Sequence, residues 1–188
     1  MVALTPEQLT ADAFAPYGRV VERPFRSPDA TGPGWRWWAE TALLPGDGRP
    51  WGVGYLDLEP TAPQFDWAER HMRTLEAILA TAGDVLVYVG PPDHPEEPGR
   101  LPSLERFRVF RVPAGSGVIM DRGVWHGAPL AADAPTRALV LILEGTGRHD
   151  VTIARFPDRP VRIEEAAPAT SLAASKKRRG GARDDKER

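Results

Sequence analysis

Twenty prolines and eighteen glycines cut this 188-residue chain into short pieces, and that punctuation limits its fold more than any other feature. Neither residue suits a helix interior, which argues against a helical bundle. Between the breaks lie segments rich in Val, Ile, Leu and aromatics: GWRWWAE, VGYLDLE, FDWAERH, EAILAT, VLVYVG, RFRVFRV, GVIM, RALVLILE and DVTIARF. Their composition and spacing predict strands. RFRVFRV alternates, with Phe107, Val109 and Arg111 on one face and Arg108, Phe110 and Val112 on the other. VLVYVG and ALVLILE are apolar throughout, as strands covered on both sides are. One short helix is expected in TADAFAPYG, with Thr10 as N-cap and Gly18 past the end. The proline-rich GPPDHPEEPGRLP, residues 90–102, reads as a loop joining two strands. An all-β chain of this length must close into a barrel or pair two sheets to cover its edges, so a small β-barrel with an internal ligand site is expected. The WRWW cluster is expected in its wall.

A domain over residues 1–165 is long enough to bury a core. From Ala166 the composition turns small and charged, and residues 166–188 are expected to form a disordered basic tail. Between Lys176 and Arg188 seven basic residues face three acidic ones, a charge of +4, which leaves −6 on the remainder of a chain whose net charge is −2. So acidic a body is a poor nucleic-acid binder. No apolar run reaches the length that spans a bilayer, and MVALTPEQLT lacks the pattern of a secretory signal, so no membrane partner and a cytoplasmic location are expected. With no cysteine and four histidines, a metal would have to be held by imidazole and carboxylate.

The chemistry concentrates in FDWAERHMRTLEAILATAG, residues 65–83. As a helix this stretch would scatter Glu69, His71 and Glu76 around its axis. As a strand it places Phe65, Trp67, Glu69 and His71 on one face, opposite Asp66, Ala68 and Arg70. Polar groups then point where apolar groups point. Burying an unpaired carboxylate costs several kcal/mol, so such groups persist when paired, bound to a metal or facing a ligand.

The spacing Glu69-x-His71, Glu76, Gly83 resembles the first motif of the cupins, with Glu69 where a first histidine usually stands. DRGVWHGAP resembles the second, through Asp121-x-Gly123-x-x-His126. LTADAFAPYGRVVE, ERH, FRVFRVPAGSGVIMDRGVWH and the following PL are similar to the ureidoglycolate lyase family of cupins, over roughly Leu4 to Phe156. Glu69, Arg70, His71, Arg122, Gly123, Val124, Trp125 and His126 match its pattern. Three positions depart from it: Glu76 stands for glutamine, Asp121 for histidine and Gly127 for a second histidine. The resemblance implies a cupin-type double-stranded β-helix and a carbon–nitrogen lyase of allantoin (purine) breakdown that releases urea from ureidoglycolate to leave glyoxylate. It also implies a homodimer.

These changes remove imidazoles and add carboxylates, which bind divalent cations better than an amide does. His71, Glu76 and His126, with Glu69 as a fourth ligand, are expected to form a mixed site for Ni, Mn, Fe or Zn, and no organic cofactor is expected. The catalytic set is expected among His71, His126, Asp121 and Glu69, with Asp121 or Glu69 moving the proton. A small carboxylate substrate calls for arginine, and Arg73 and Arg122 lie nearest, with Trp125 beside them. His94 and His149 read as solvated. Two alternatives stand: a cupin isomerase or oxygenase acting on another small hydroxy or keto acid, and a non-catalytic barrel that binds a small carboxylate.

Overall fold

The computed structural model describes residues 3–157 and 160–164. The expected basic tail lies outside the described residues. Twelve strands build the two main sheets: β1 (Pro6–Gln8), β2 (Gly18–Val21), β3 (Trp51–Leu58), β4 (Trp67–Arg70), β5 (Glu76–Ala80), β6 (Val85–Gly90), β7 (Arg108–Val112), β8 (Gly117–Met120), β9 (Trp125–His126), β10 (Leu130–Ala131), β11 (Thr136–Leu143) and β12 (Thr152–Arg155). One sheet runs β12-β4-β9-β6-β7-β1, with β10 also paired to β6, and the other runs β2-β8-β5-β11-β3. The chain crosses between sheets at most connections, including β4 to β5, β5 to β6, β7 to β8 and β8 to β9. That winding is the jelly roll expected of the cupin type, and the fold is all-β apart from short helical turns.

The apolar runs are explained by two layers of burial. Val85, Val87 and Val89 on β6 join Ile78, Ala80, Phe110, Val112, Val118 and Met120 in the core between the sheets. Leu86 and Tyr88 point the other way, into a second cluster with Phe107, Val109 and Trp125. A small sheet of Ala3–Leu4, Val161–Ile163 and Gln64–Phe65 supplies Phe65, Val161 and Ile163 to that outer cluster. Full burial of each large apolar side chain contributes about 1.5–3 kcal/mol. Helix α1 (Ala11–Phe14) starts where expected, Thr10 Oγ1 accepting the Ala13 N–H at 3.2 Å. Its Phe14 packs edge-on against Phe110, centroids 5.2 Å apart.

Two expectations need correction. FDWAERH is not one strand: it bends at Asp66, so Phe65 stacks on Tyr88 at 3.9 Å in the outer cluster while Glu69 and His71 face the interior. WRWW is not barrel wall. Trp35–Trp37 pairs only with Ala30–Gly32 in a separate hairpin, and Trp35 and Trp37 stay 53% and 58% exposed. The Pro33-Gly34 turn folds the segment back on its neighbour before it can reach either sheet. A second short helix, α2 (Thr146–His149), joins β11 to β12. Among the described residues no helix is long and apolar enough to cross a membrane.

Candidate active site

Strands β4, β5 and β9 bring the two sequence motifs together. His126 lies opposite Glu69 on β4 and opposite Val89 on β6, so β9 is held on both sides. His71 follows the last residue of β4, and Glu76 opens β5 after a tight crossing between sheets. His71, Glu76 and His126 are all buried. The His71 and His126 rings meet edge-on with centroids 5.2 Å apart. Ligand atoms of Glu69, His71 and His126 all fall within 4.8 Å of one another.

The imidazole hydrogens follow from the partners of Nδ1. His71 Nδ1 lies 2.6 Å from the Asp150 carbonyl, and His126 Nδ1 lies 3.0 Å from the Val124 carbonyl. A carbonyl only accepts, so each Nδ1 carries the hydrogen and donates it. In the neutral rings each Nε2 is then a bare lone pair. Both lie close to one oxygen: Glu76 Oε2 is 3.2 Å from His71 Nε2 and 3.6 Å from His126 Nε2. Neither Nε2 has an aligned hydrogen bond.

Three lone-pair atoms converging in a dry interior repel one another unless a positive charge lies among them. A proton on the His126 imidazole supplies it in one form. Burial pushes the Glu76 carboxyl up, but the attraction of His126 and His71 outweighs it and holds the group at about 2. Burial likewise pulls His126 down, and the adjoining Glu76 carboxylate more than reverses that, leaving it raised. A divalent cation supplies the charge in the other form. Donors about 2.1 Å from a tetrahedral ion stand about 3.4 Å apart, a value that falls between the 3.2 and 3.6 Å separations from Glu76 Oε2. The two orphaned Nε2 atoms, the fixed tautomers and the N/O donor set fit such an ion.

The remaining expected site residues do not join this cluster. Asp121 is 58% exposed at its side chain and pairs with Arg19 at 3.3 Å. Gly123 takes a left-handed φ of +78° that turns the chain directly after it. That turn lets the Gly123 N–H reach the His71 carbonyl at 2.7 Å while Asp121 stays outside. Arg122 is exposed and lines a cavity of about 410 Å³ with Arg19, Pro45, Leu75 and Asp121. Arg73, 67% exposed, lies 3.6 Å from the Asp150 carboxylate and also donates to the His149 carbonyl. Trp125 is fully buried in the outer cluster, because strand alternation turns it away from the face that carries His126.

Comparison with known proteins decides the family. A family model described as ureidoglycolate lyase matches residues 1–164. The chain belongs to the ureidoglycolate lyase family. A ureidoglycolate lyase of Rhodobacter capsulatus is 33% identical over 155 residues, covering 79% of this chain and 91% of that protein. Among solved structures, a dTDP sugar isomerase from Desulfovibrio desulfuricans is similar with a TM-score of 0.37 and 19% identity, over 81% of this chain and 88% of that one. A mutant of Bacillus subtilis oxalate decarboxylase is similar with a TM-score of 0.39 and 16% identity, over 57% of this chain and 24% of that one.

Two structural residues of this lyase were not expected from the sequence. Arg70, fully buried, donates to the carbonyls of Asp93 (2.7 Å), His94, Glu97 and Pro98 (each 3.0 Å), so the proline-rich loop folds around its guanidinium. The guanidinium also lies 4.6 Å from the centroid of the Trp125 ring. Arg70 thus sits back to back with the site, on the outer face of the strand that carries Glu69. Asp150, at the end of α2, is the second. Nothing in GRHD distinguishes it, because its partners lie about eighty residues earlier.

Proposed function

We propose that this lyase cleaves ureidoglycolate to glyoxylate and urea at the cluster of Glu69, His71, Glu76 and His126. Support comes from the family match over residues 1–164 and from the convergence of Glu69, His71 and His126, which match the family pattern, with the buried Glu76, which departs from it. The carrying observation is the pair of buried, unpartnered Nε2 atoms lying 3.2 and 3.6 Å from one Glu76 oxygen. His71, His126 and Glu76 would hold a divalent cation, Ni, Mn, Fe or Zn. Such an ion supplies positive charge that lowers the pKa of a substrate hydroxyl and fixes its orientation.

The reaction is an elimination without oxidation. The carbinol hydroxyl loses its proton and its C–O bond becomes the aldehyde double bond. The C–N bond breaks, its electron pair going to the ureido nitrogen, which takes up a proton. Glu69 is the proton carrier in this reading. It is half-buried and directly across β4–β9 from His126, and the proton it removes from oxygen is the one the departing nitrogen needs. Arg122 is the arginine offered to the substrate carboxylate in this reading, because it stands in the segment that matches the family pattern and a planar guanidinium suits a carboxylate.

Urea release from ureidoglycolate, measured beside elemental analysis of the purified protein, tests the reading. Turnover should fall below detection in His71→Ala and in His126→Ala. Undiminished turnover in either variant overturns the assignment.

A further inference from the structure

We propose that Asp150 is the positioning residue for His71, fixing both the tautomer and the direction of its ring and so the readiness of the centre for a divalent cation. The inference rests on the reading of the cluster as a cation centre. Asp150 closes α2 and is buried, and it grips the neighbourhood of His71 in two ways. Its carbonyl takes the Nδ1 hydrogen of His71 at 2.6 Å. Its carboxylate accepts the successive N–H groups of Met72 (3.0 Å), Arg73 (2.9 Å) and Thr74 (3.1 Å), and the Thr74 hydroxyl at 3.3 Å.

Residues 72–74 are the crossing between sheets that separates His71 from Glu76. One acidic side chain therefore sets the backbone between the two groups, while the same residue's main chain orients the ring. The backbone N–H groups aimed at it suit an acceptor with a full negative charge, which explains a buried carboxylate here. Helix α2 cannot drift away from the crossing. Thr146 Oγ1 donates to the Leu143 carbonyl at 2.7 Å and lies 3.3 Å from the Thr74 hydroxyl, and Arg73 donates to the His149 carbonyl. His126 has no share in this arrangement, since its Nδ1 partner is Val124.

That asymmetry supplies the test. Asp150→Asn keeps the shape but offers one oxygen where three N–H groups and a hydroxyl converge, and it turns an amide NH₂ toward donors. The residue must shift, taking its carbonyl off His71. Nitrogen-15 spectra of the imidazoles in chelator-treated protein, taken at alkaline pH above the raised His126 value, should show both rings in the Nδ1–H form in the wild type. In Asp150→Asn, His71 should become a mixture of tautomers while His126 is unchanged. Zn²⁺ titration of the same variant should show affinity reduced about 10–100-fold, the usual cost of losing a residue that orients a ligand.

A folded Asp150→Asn with the His71 spectrum and Zn²⁺ affinity of the wild type overturns the proposal. So does a variant in which both rings change together, which would mean general loosening. If the variant does not fold, the wild-type spectrum decides: His71 in the Nε2–H form overturns the proposal, and the Nδ1–H form supports it. A wild type without urea release sinks the proposed reaction, and one without Zn²⁺ affinity sinks the cation reading. The ring spectra report on Asp150 in either case.

Discussion

Glu69 and His126 are direct cross-strand partners on β4 and β9, so a carboxylate from the first motif and an imidazole from the second share one rung of the barrel. Opposed residues of antiparallel strands hold their Cβ atoms about 4.5–5.5 Å apart, a distance fixed by the ladder rather than by side-chain choice. Glu69→Gln keeps shape and removes the proton acceptor. It should lower kcat for urea release by about 10²–10⁴-fold with the fold intact. A wild-type kcat would take Glu69 out of proton transfer.

Glu76 is the charge between two buried imidazoles. Glu76→Ala should destabilise the protein in chelator by about 1–3 kcal/mol, read as a lower denaturant midpoint, because polar groups are left without a partner. Glu76→Gln should cost less stability, since its amide fills the same space. Both should weaken Zn²⁺ binding. A Glu76→Gln protein that binds Zn²⁺ as tightly as the wild type would remove the carboxylate from the cation site.

The same pair sets a pH window for the metal-free protein. Glu76 is held at about 2 in the folded state, against about 4.3 unfolded. Its contribution is complete above the unfolded value and lost as pH falls through about 2. His126 is raised, so its contribution is complete below the unfolded value of about 6.5 and lost as pH rises through the higher folded value. In chelator this pair should contribute most between about pH 4.3 and 6.5. Saturating Zn²⁺ should flatten the alkaline decline, because the ion replaces the proton. A His126→Ala protein with the wild-type alkaline slope in chelator would refute this account.

Arg70→Met removes a buried guanidinium from four loop carbonyls and from the Trp125 ring. Hydrogen bonds from a charged donor are worth roughly 1.5–3 kcal/mol each and are not additive, so a loss of about 2–4 kcal/mol is expected. The loop at 90–102 should also be cut faster in limited proteolysis. Unchanged cleavage would show that the loop holds its shape by itself.

Gly127 and Tyr88 exclude larger residues at one another's expense. A Cβ on Gly127 would stand 1.7 Å from the Tyr88 hydroxyl, which itself donates to the Trp67 carbonyl at 3.0 Å. Gly127→Ala should destabilise by about 1–3 kcal/mol through overpacking. In a Tyr88→Ala background the same change should cost much less, a coupling that thermal or denaturant melts can measure. Additive costs would mean that the backbone yields instead of the phenol.

Much of this fold was readable in advance because strand burial leaves a period of two. Val85–Gly90 and Gly117–Met120 have the bounds that their apolar runs give, and Thr10 caps α1 as its residue type requires. The short pieces were not readable. Pro6–Gln8, Trp125–His126 and Leu130–Ala131 are strands only because longer neighbours pair with them. Trp125 was expected beside the substrate, yet its strand partners turn it outward. WRWW read as barrel wall and lies in a separate surface hairpin, because composition records what a segment could bury and not what arrives to cover it.

The sequence by itself determined the two-layer barrel, the family and the positions of Glu69, His71, Glu76 and His126, since alternation and motif spacing are local properties of the chain. Only the tertiary structure decided which way the imidazoles face. Their Nδ1 partners are main-chain carbonyls of Asp150 and Val124, and a main-chain carbonyl is the same group in every residue. What makes one of them a ligand-orienting acceptor is where the folded chain carries it.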